Sequence, residues 1–208
     1  MKIGIRLLSI VGVLGAFAGV TAFGAPIGSA NPDLVVRTAL HVPGAGDFDV
    51  YDYAAGIEAQ YRFWGEAPWG WSLAAGLTQW ESGGGSTDWA GDVGGSALAF
   101  PLGASGLVAF PTAPGQRVTL EAGLRVIFVE SDLKLETSTG RRDVDVATGL
   151  LAVVAAEWEA ELAEDLSLAL GAGYQFDLLQ AEAETDEADL QDNQWQSFFF
   201  RAGVVFRF

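Results

Sequence analysis

The sequence contains no cysteine and a single histidine, and only 18% of its residues are charged. Without cysteine there is no disulfide scaffold, no thiolate metal site and no lipidated cysteine. A lone histidine, His41, removes most histidine-based metal sites and catalytic dyads. Positive charge is scarce: 11 Lys and Arg stand against 27 Asp and Glu, for a formal net charge of −16. That balance argues against a nucleic-acid partner, because phosphate binding needs clustered Lys and Arg. Proline is limited to 7 residues while glycine reaches 27, which fits neither a collagen-like nor a disordered chain. Apolar residues, by contrast, are abundant. Half of the 208 residues are hydrophobic and the mean hydropathy is +0.27. The length suits one domain with a targeting segment.

The first segment reads as an address. Lys2 and Arg6 form a basic start, Leu7 to Val20 is uncharged and mostly apolar, and small residues follow. This is the order of a secretory signal peptide, expected to span residues 1–24. Cleavage sites after Ala22, Gly24 and Ala30 are open. A membrane anchor is the competing reading, but 14 helical residues reach only ~21 Å against a bilayer core of ~30 Å. The remaining chain, 25–208, would keep nine cations and all 27 acids, a charge of −18.

No later apolar run is long enough for a membrane helix; the longest is Gly149 to Ala156. The apolar residues instead follow a period of two. Phe198, Phe200, Ala202, Val204, Phe206 and Phe208 share one parity, and Phe199, Arg201, Gly203, Val205 and Arg207 the other. Leu166 to Leu178, Tyr51 to Phe63 and Val118 to Phe128 alternate in the same way. Successive side chains of a strand point to opposite faces. One face here is apolar. The other mixes glycine, alanine and serine with a few charges. Small residues have no packing reason to meet water, but in a narrow closed barrel they make room for long interior side chains. The apolar face then meets lipid.

Eight strands are expected near 34–42, 50–63, 69–81, 96–110, 117–130, 144–161, 166–178 and 195–208. Three connections are short: 64–68, 111–116 and 162–165. The others, 43–49, 82–95, 131–143 and 179–194, are longer and polar. Alternating short and long connections is the rule for outer-membrane barrels, with the short turns periplasmic. The fold class expected is therefore all-β: an eight-stranded antiparallel up-and-down transmembrane barrel. Pro101 is expected to interrupt the fourth strand with a bulge. Aromatic girdles are expected from Trp64, Trp69, Trp71, Phe110, Phe206 and Phe208 at one edge. Tyr51, Tyr53, Phe100, Phe128, Tyr174, Phe176 and Phe198 would form the other.

With its signal segment, eight-strand rhythm and terminal strand Trp195 to Phe208, the chain resembles the small eight-stranded bacterial outer-membrane β-barrels, the OmpA/OmpX/OmpW-like group. The stretch Phe100-Pro101-Leu102-Gly103 is similar to a strand entry in such barrels. The resemblance implies an outer-membrane location in a Gram-negative envelope, with outer-membrane lipid and lipopolysaccharide as surroundings. It also implies that Phe200, Ala202, Val204, Phe206 and Phe208 are the signal read by the barrel-assembly machinery. No peptidoglycan-binding domain is expected after Phe208.

Three sets of residues are candidates for chemistry. By parity, Arg37, Asp52, Glu58, Arg62, Glu121, Arg125, Glu157, Glu159 and Arg201 point into the barrel. Charges in a low-dielectric interior need partners, so an ion-pair network is expected, with Glu121 and Arg125 pairing across strands. Such a network either plugs the interior or lines a narrow pore. The acidic stretch Glu182, Glu184, Asp186, Glu187, Asp189 and Asp192 reads as a solvated loop. Its carboxylates are a weak Ca²⁺ or Mg²⁺ signal at Asp186, Asp189 and Asp192, because the spacing lacks the D-x-D-x-D-G pattern. His41 faces inward by parity, and no G-x-S-x-G elbow supports a hydrolase. The expected function is a non-enzymatic, monomeric barrel without cofactor or nucleic-acid partner. It would act in envelope integrity, adhesion or shielding through acidic loops. A narrow channel for ions or small solutes is the alternative, followed by a lipid A-modifying enzyme centred on His41.

Overall fold

The computed structural model describes residues 32–43, 53–65, 68–87, 91–137, 140–146, 148–179, 181–185, 188–193 and 195–208. Residues 1–24, expected to be a signal peptide, and Tyr51 and Asp52 lie outside them. Among the described residues twelve strands are formed: β1 (Asp33–Pro43), β2 (Tyr53–Trp64), β3 (Trp69–Thr87), β4 (Gly91–Ala113), β5 (Gln116–Ser131), β6 (Leu133–Thr137), β7 (Gly140–Val146), β8 (Gly149–Ala163), β9 (Leu166–Leu179), β10 (Ala181–Thr185), β11 (Ala188–Asn193) and β12 (Ser197–Arg207). Eight of them close a ring in the order β1-β2-β3-β4-β5-β8-β9-β12. Closure is made by β1 against β12, from Asp33↔Arg207 to Pro43↔Ser197. Every neighbour pair in the ring is antiparallel. A ring leaves no strand edge to be satisfied by water, which is the condition for crossing lipid with strands.

Burial follows the parity of the sequence. On β12, Phe198 and Phe200 are each 58% exposed, while Phe199 and Arg201 between and beside them are buried. Ile57, Leu120, Leu124, Phe128, Val154 and Leu170 also face outward. Exposure of so much apolar surface around a whole wall is the signature of a lipid-facing belt. At the short-turn end Trp69, Trp71, Phe110, Phe206 and Phe208 are exposed, with Phe63 and Trp71 stacked at 4.0 Å. Tyr53, Phe128, Phe176 and Phe198 are exposed toward the other end.

Glycine on the inner face makes room for arginine across the ladder. Gly203 pairs with Arg37 and Gly103 with Arg125. A Cβ on Gly203 would stand 2.5 Å from Arg37 Cβ, and one on Gly103 2.7 Å from Arg125 Cγ. Gly171 stands opposite Arg201 in the same way. Glycine costs a strand some entropy, yet it is the residue that lets a long interior side chain pass over a neighbouring backbone.

The structure corrects the sequence reading in four places. The stretches 82–95, 131–143 and 179–194 are not loops throughout. β3 and β4 continue their ladder through Ser82↔Gly95 and Gly83↔Gly94, with a register shift before Ser86↔Asp92. β6–β7 and β10–β11 are hairpins. Backbone pairing needs no apolar side chains, so glycine-rich and acidic stretches extend existing strands once their registers are set. Second, the strand expected over 144–161 is divided, with β7 ending at Val146 and β8 starting at Gly149. Third, Pro101 makes no bulge. The β3–β4 register is the same on either side, Ala75↔Leu102 and Thr78↔Ala99; only the intervening pairs are lost, because proline has no N–H to donate. Fourth, Trp64 shares Arg62's parity and turns inward, where its Nε1 donates to Asp33 Oδ2 at 2.7 Å.

Candidate functional site

The lumen is the candidate site. Of the nine charges turned inward by parity, Asp52 lies outside the described residues. The other eight, Arg37, Glu58, Arg62, Glu121, Arg125, Glu157, Glu159 and Arg201, are all buried. β1, β2, β5, β8 and β12 supply them, and the closed ring brings them to one axis.

They form a connected network. Arg37 Nε donates to Glu58 Oε1 at 3.0 Å, and its Nη1 donates to Glu157 Oε2 at 2.8 Å. Arg125 Nη1 meets Glu58 Oε2 at 2.6 Å, from three strands away around the ring. Arg201 Nη2 donates to Glu121 Oε2 at 2.7 Å, and Arg201 Nε lies 3.1 Å from Glu157 Oε2. Arg62 Nη1 donates to Glu159 Oε1 at 2.7 Å, and its Nη2 pairs with Glu157. Glu157 is thus shared by three guanidinium groups. Glu121 and Arg125, four residues apart on one strand, are 3.6 Å from each other, but both make shorter contacts to other strands.

Residues that the sequence reading did not single out extend the network to the short-turn end. Arg117 Nη2 donates to Asp33 Oδ2 at 2.6 Å, Arg117 Nε donates to Glu159 Oε2 at 2.7 Å, and the guanidinium lies over the Trp64 ring at 4.8 Å. Arg207 Nη2 is 3.8 Å from Glu159. Gln60 links Arg62 to Ser72. Strand parity carries the signal for these residues too: Asp33, Gln60, Arg117 and Arg207 share the faces of Arg37, Arg62, Glu121 and Arg201.

An aromatic cap fills the opposite end, the one carrying the long hairpins. Trp80, Trp195 and Phe199 are buried there. Trp80 and Trp195 meet edge to face at 5.2 Å, and the His41 ring sits 5.4 Å from Trp80 and 5.6 Å from Phe199. Gln175 Nε2 donates to the Trp195 carbonyl at 2.8 Å, and the Trp195 N–H donates to Asp177 Oδ2 at 2.8 Å. His41 Nδ1 lies 3.2 Å from Ser197 Oγ, and both residues are buried on the lumen side rather than facing lipid.

A full lumen of this kind is chemically rigid. Removing an ion from water costs several kcal/mol, and only multiple short contacts recover it. Each carboxylate here receives two or more such contacts, so the side chains hold one another in place across the lumen. Among the described residues no group of three His, Cys, Asp or Glu converges as a metal site would. Asp186 lies outside the described residues; Asp189 and Asp192 fall within β11.

No protein-family model and no curated protein matches the chain. Solved structures do. The crystal structure of Neisserial surface protein A is similar over 85% of this chain and 97% of that one, with 16% identity and a TM-score of 0.51. A major outer membrane protein of Thermus thermophilus is similar over 85% and 99%, with 15% identity and a TM-score of 0.55. The outer membrane protein AlkL, solved by solid-state NMR in lipid bilayers, covers 89% and 93%, with 10% identity and a TM-score of 0.55. The likeness is one of fold: the chain is built as these small outer-membrane β-barrels are.

Proposed function

We propose that, after removal of residues 1–24, the chain works as a non-enzymatic barrel of the bacterial outer membrane. Its role is structural or surface-interactive, and its outer hairpins do the interacting. The observation that supports this reading is the filled lumen. Ion pairs run from Asp33 to Arg125, and the Trp80–Trp195–Phe199 cap follows. An eight-stranded barrel is just wide enough for its side chains to fill. With the interior occupied, what remains for function is the extension of β3, β4, β6, β7, β10 and β11 beyond the membrane belt. Acidic residues dominate that extension, from Asp92 to the stretch 182–192. Lipopolysaccharide and envelope lipid are its surroundings, and the barrel-assembly machinery is its partner during insertion.

Single-channel recording of the refolded 25–208 chain in a planar bilayer tests the reading. A silent protein that still shows heat-dependent gel mobility is the expected result. Discrete, reproducible openings that change on neutralising Glu121 or Arg125 would overturn it in favour of a narrow channel.

A further inference from the structure

A small void interrupts the packing of the lumen between the ion-pair network and the aromatic cap. Its volume is about 20 Å³, and Arg125, Glu58, His41, Thr78 and Trp80 are among the residues lining it. That is enough for one small occupant, since a single water needs roughly 10–15 Å³.

The polar groups around the void are unevenly matched. Arg125 is 5% exposed, and its Nη1 is held by Glu58. Its Nε and Nη2 have no hydrogen-bond acceptor. The carboxylate of Glu121 stands 3.6 Å from Nη2, beyond hydrogen-bond distance. Buried donors are nearly always paired in native proteins, with protein or with an ordered small molecule. Across the void, His41 turns its Nδ1 to Ser197 while its ring also forms part of the lining. The space is kept by small residues. Ala99 lines it, and so does Gly56, where a Cβ would stand 2.6 Å from Thr78 Oγ1.

We propose that this void is a built site for one small hydrogen-bond acceptor, a water oxygen or a monatomic anion, held by the unpaired N–H groups of Arg125 beside Thr78 and His41. The site is independent of whatever the outer hairpins bind. Its occupant completes the guanidinium and joins the ion-pair network to the aromatic cap.

The test is a crystal structure of the chain refolded and crystallised in sodium bromide, with data collected at the bromine absorption edge. A density peak within hydrogen-bond reach of Arg125 Nε and Nη2 is expected. Anomalous signal at the peak identifies an anion, and its absence identifies water. In Ala99→Val the added methyls fill the space, and the peak is lost. Should that variant not fold, Thr78→Val keeps the volume and removes a hydroxyl, and the peak weakens. A void without density in the parent chain, or a peak unchanged in the variant that folds, overturns the proposal.

Discussion

At the scale of single residues, the lumen is governed by shared partners. Glu157 is approached by Arg37, Arg62 and Arg201, and it is 1% exposed. Removing its carboxylate leaves three buried guanidinium groups short of charge. Breaking a buried pair from one side costs about 3–5 kcal/mol. Glu157→Ala should therefore lower the unfolding free energy by about that amount. Glu161 offers the contrast: it is exposed at the rim and only 4.0 Å from Arg207. An exposed pair contributes about 0–1 kcal/mol, so Glu161→Ala should be nearly neutral. Urea unfolding of both variants in lipid vesicles compares them directly, and equal effects would contradict a hub at Glu157. Strand parity made the inward direction of Arg37 or Glu157 legible in the sequence. Their pairing was not legible, because partners such as Arg37 and Glu157 lie 120 residues apart and meet only when the ring closes.

At the scale of elements, alternation was enough to locate the membrane-spanning strands, because one lipid-facing side chain in two must be apolar. The β6–β7 and β10–β11 hairpins were illegible for the opposite reason. Outside the lipid belt no face is required to be apolar, so no alternation is imposed and their sequences look like loops. Trp64 shows the same limit on a smaller scale: an aromatic near a turn suggests a girdle, but parity with Arg62 turns it inside. β12 carries its apolar row outward, with Phe206 39% and Phe208 62% exposed at the short-turn end. An exposed aromatic at this position contributes little to packing within the barrel, so the role we propose for Phe208 in recognition by the assembly machinery can be tested apart from folding. Removing Phe208 should leave refolding from urea into detergent micelles unchanged. It should slow insertion by purified barrel-assembly machinery in proteoliposomes. Equal insertion rates for both chains would remove Phe208 from the assembly signal.

At the scale of the whole molecule, the distribution of charge follows from the fold. Outside residues 1–24 the cations are Arg37, Arg62, Arg117, Arg125, Lys134, Arg141, Arg142, Arg201 and Arg207. The lumen network takes all of them except Lys134, Arg141 and Arg142, which belong to β6 and β7. With those six cations held in the lumen, the proposed function carries with it an acidic surface at the long-hairpin end, where the sequence places Glu182, Glu184, Asp186, Glu187, Asp189 and Asp192. Such a surface attracts cationic partners over about a Debye length, ~10 Å at 0.1 M salt, and loses that reach as salt rises. The full chain should bind a polylysine-coated sensor at low salt and release it as salt increases. Deleting residues 181–193 removes Glu182, Glu184, Asp186, Glu187, Asp189 and Asp192 without touching a strand of the ring. That variant should keep its heat-dependent gel shift and lose most of the salt-sensitive binding. Retained binding would place the interacting surface elsewhere on the rim. Loss of the gel shift would show that the hairpin supports the barrel rather than merely extending it.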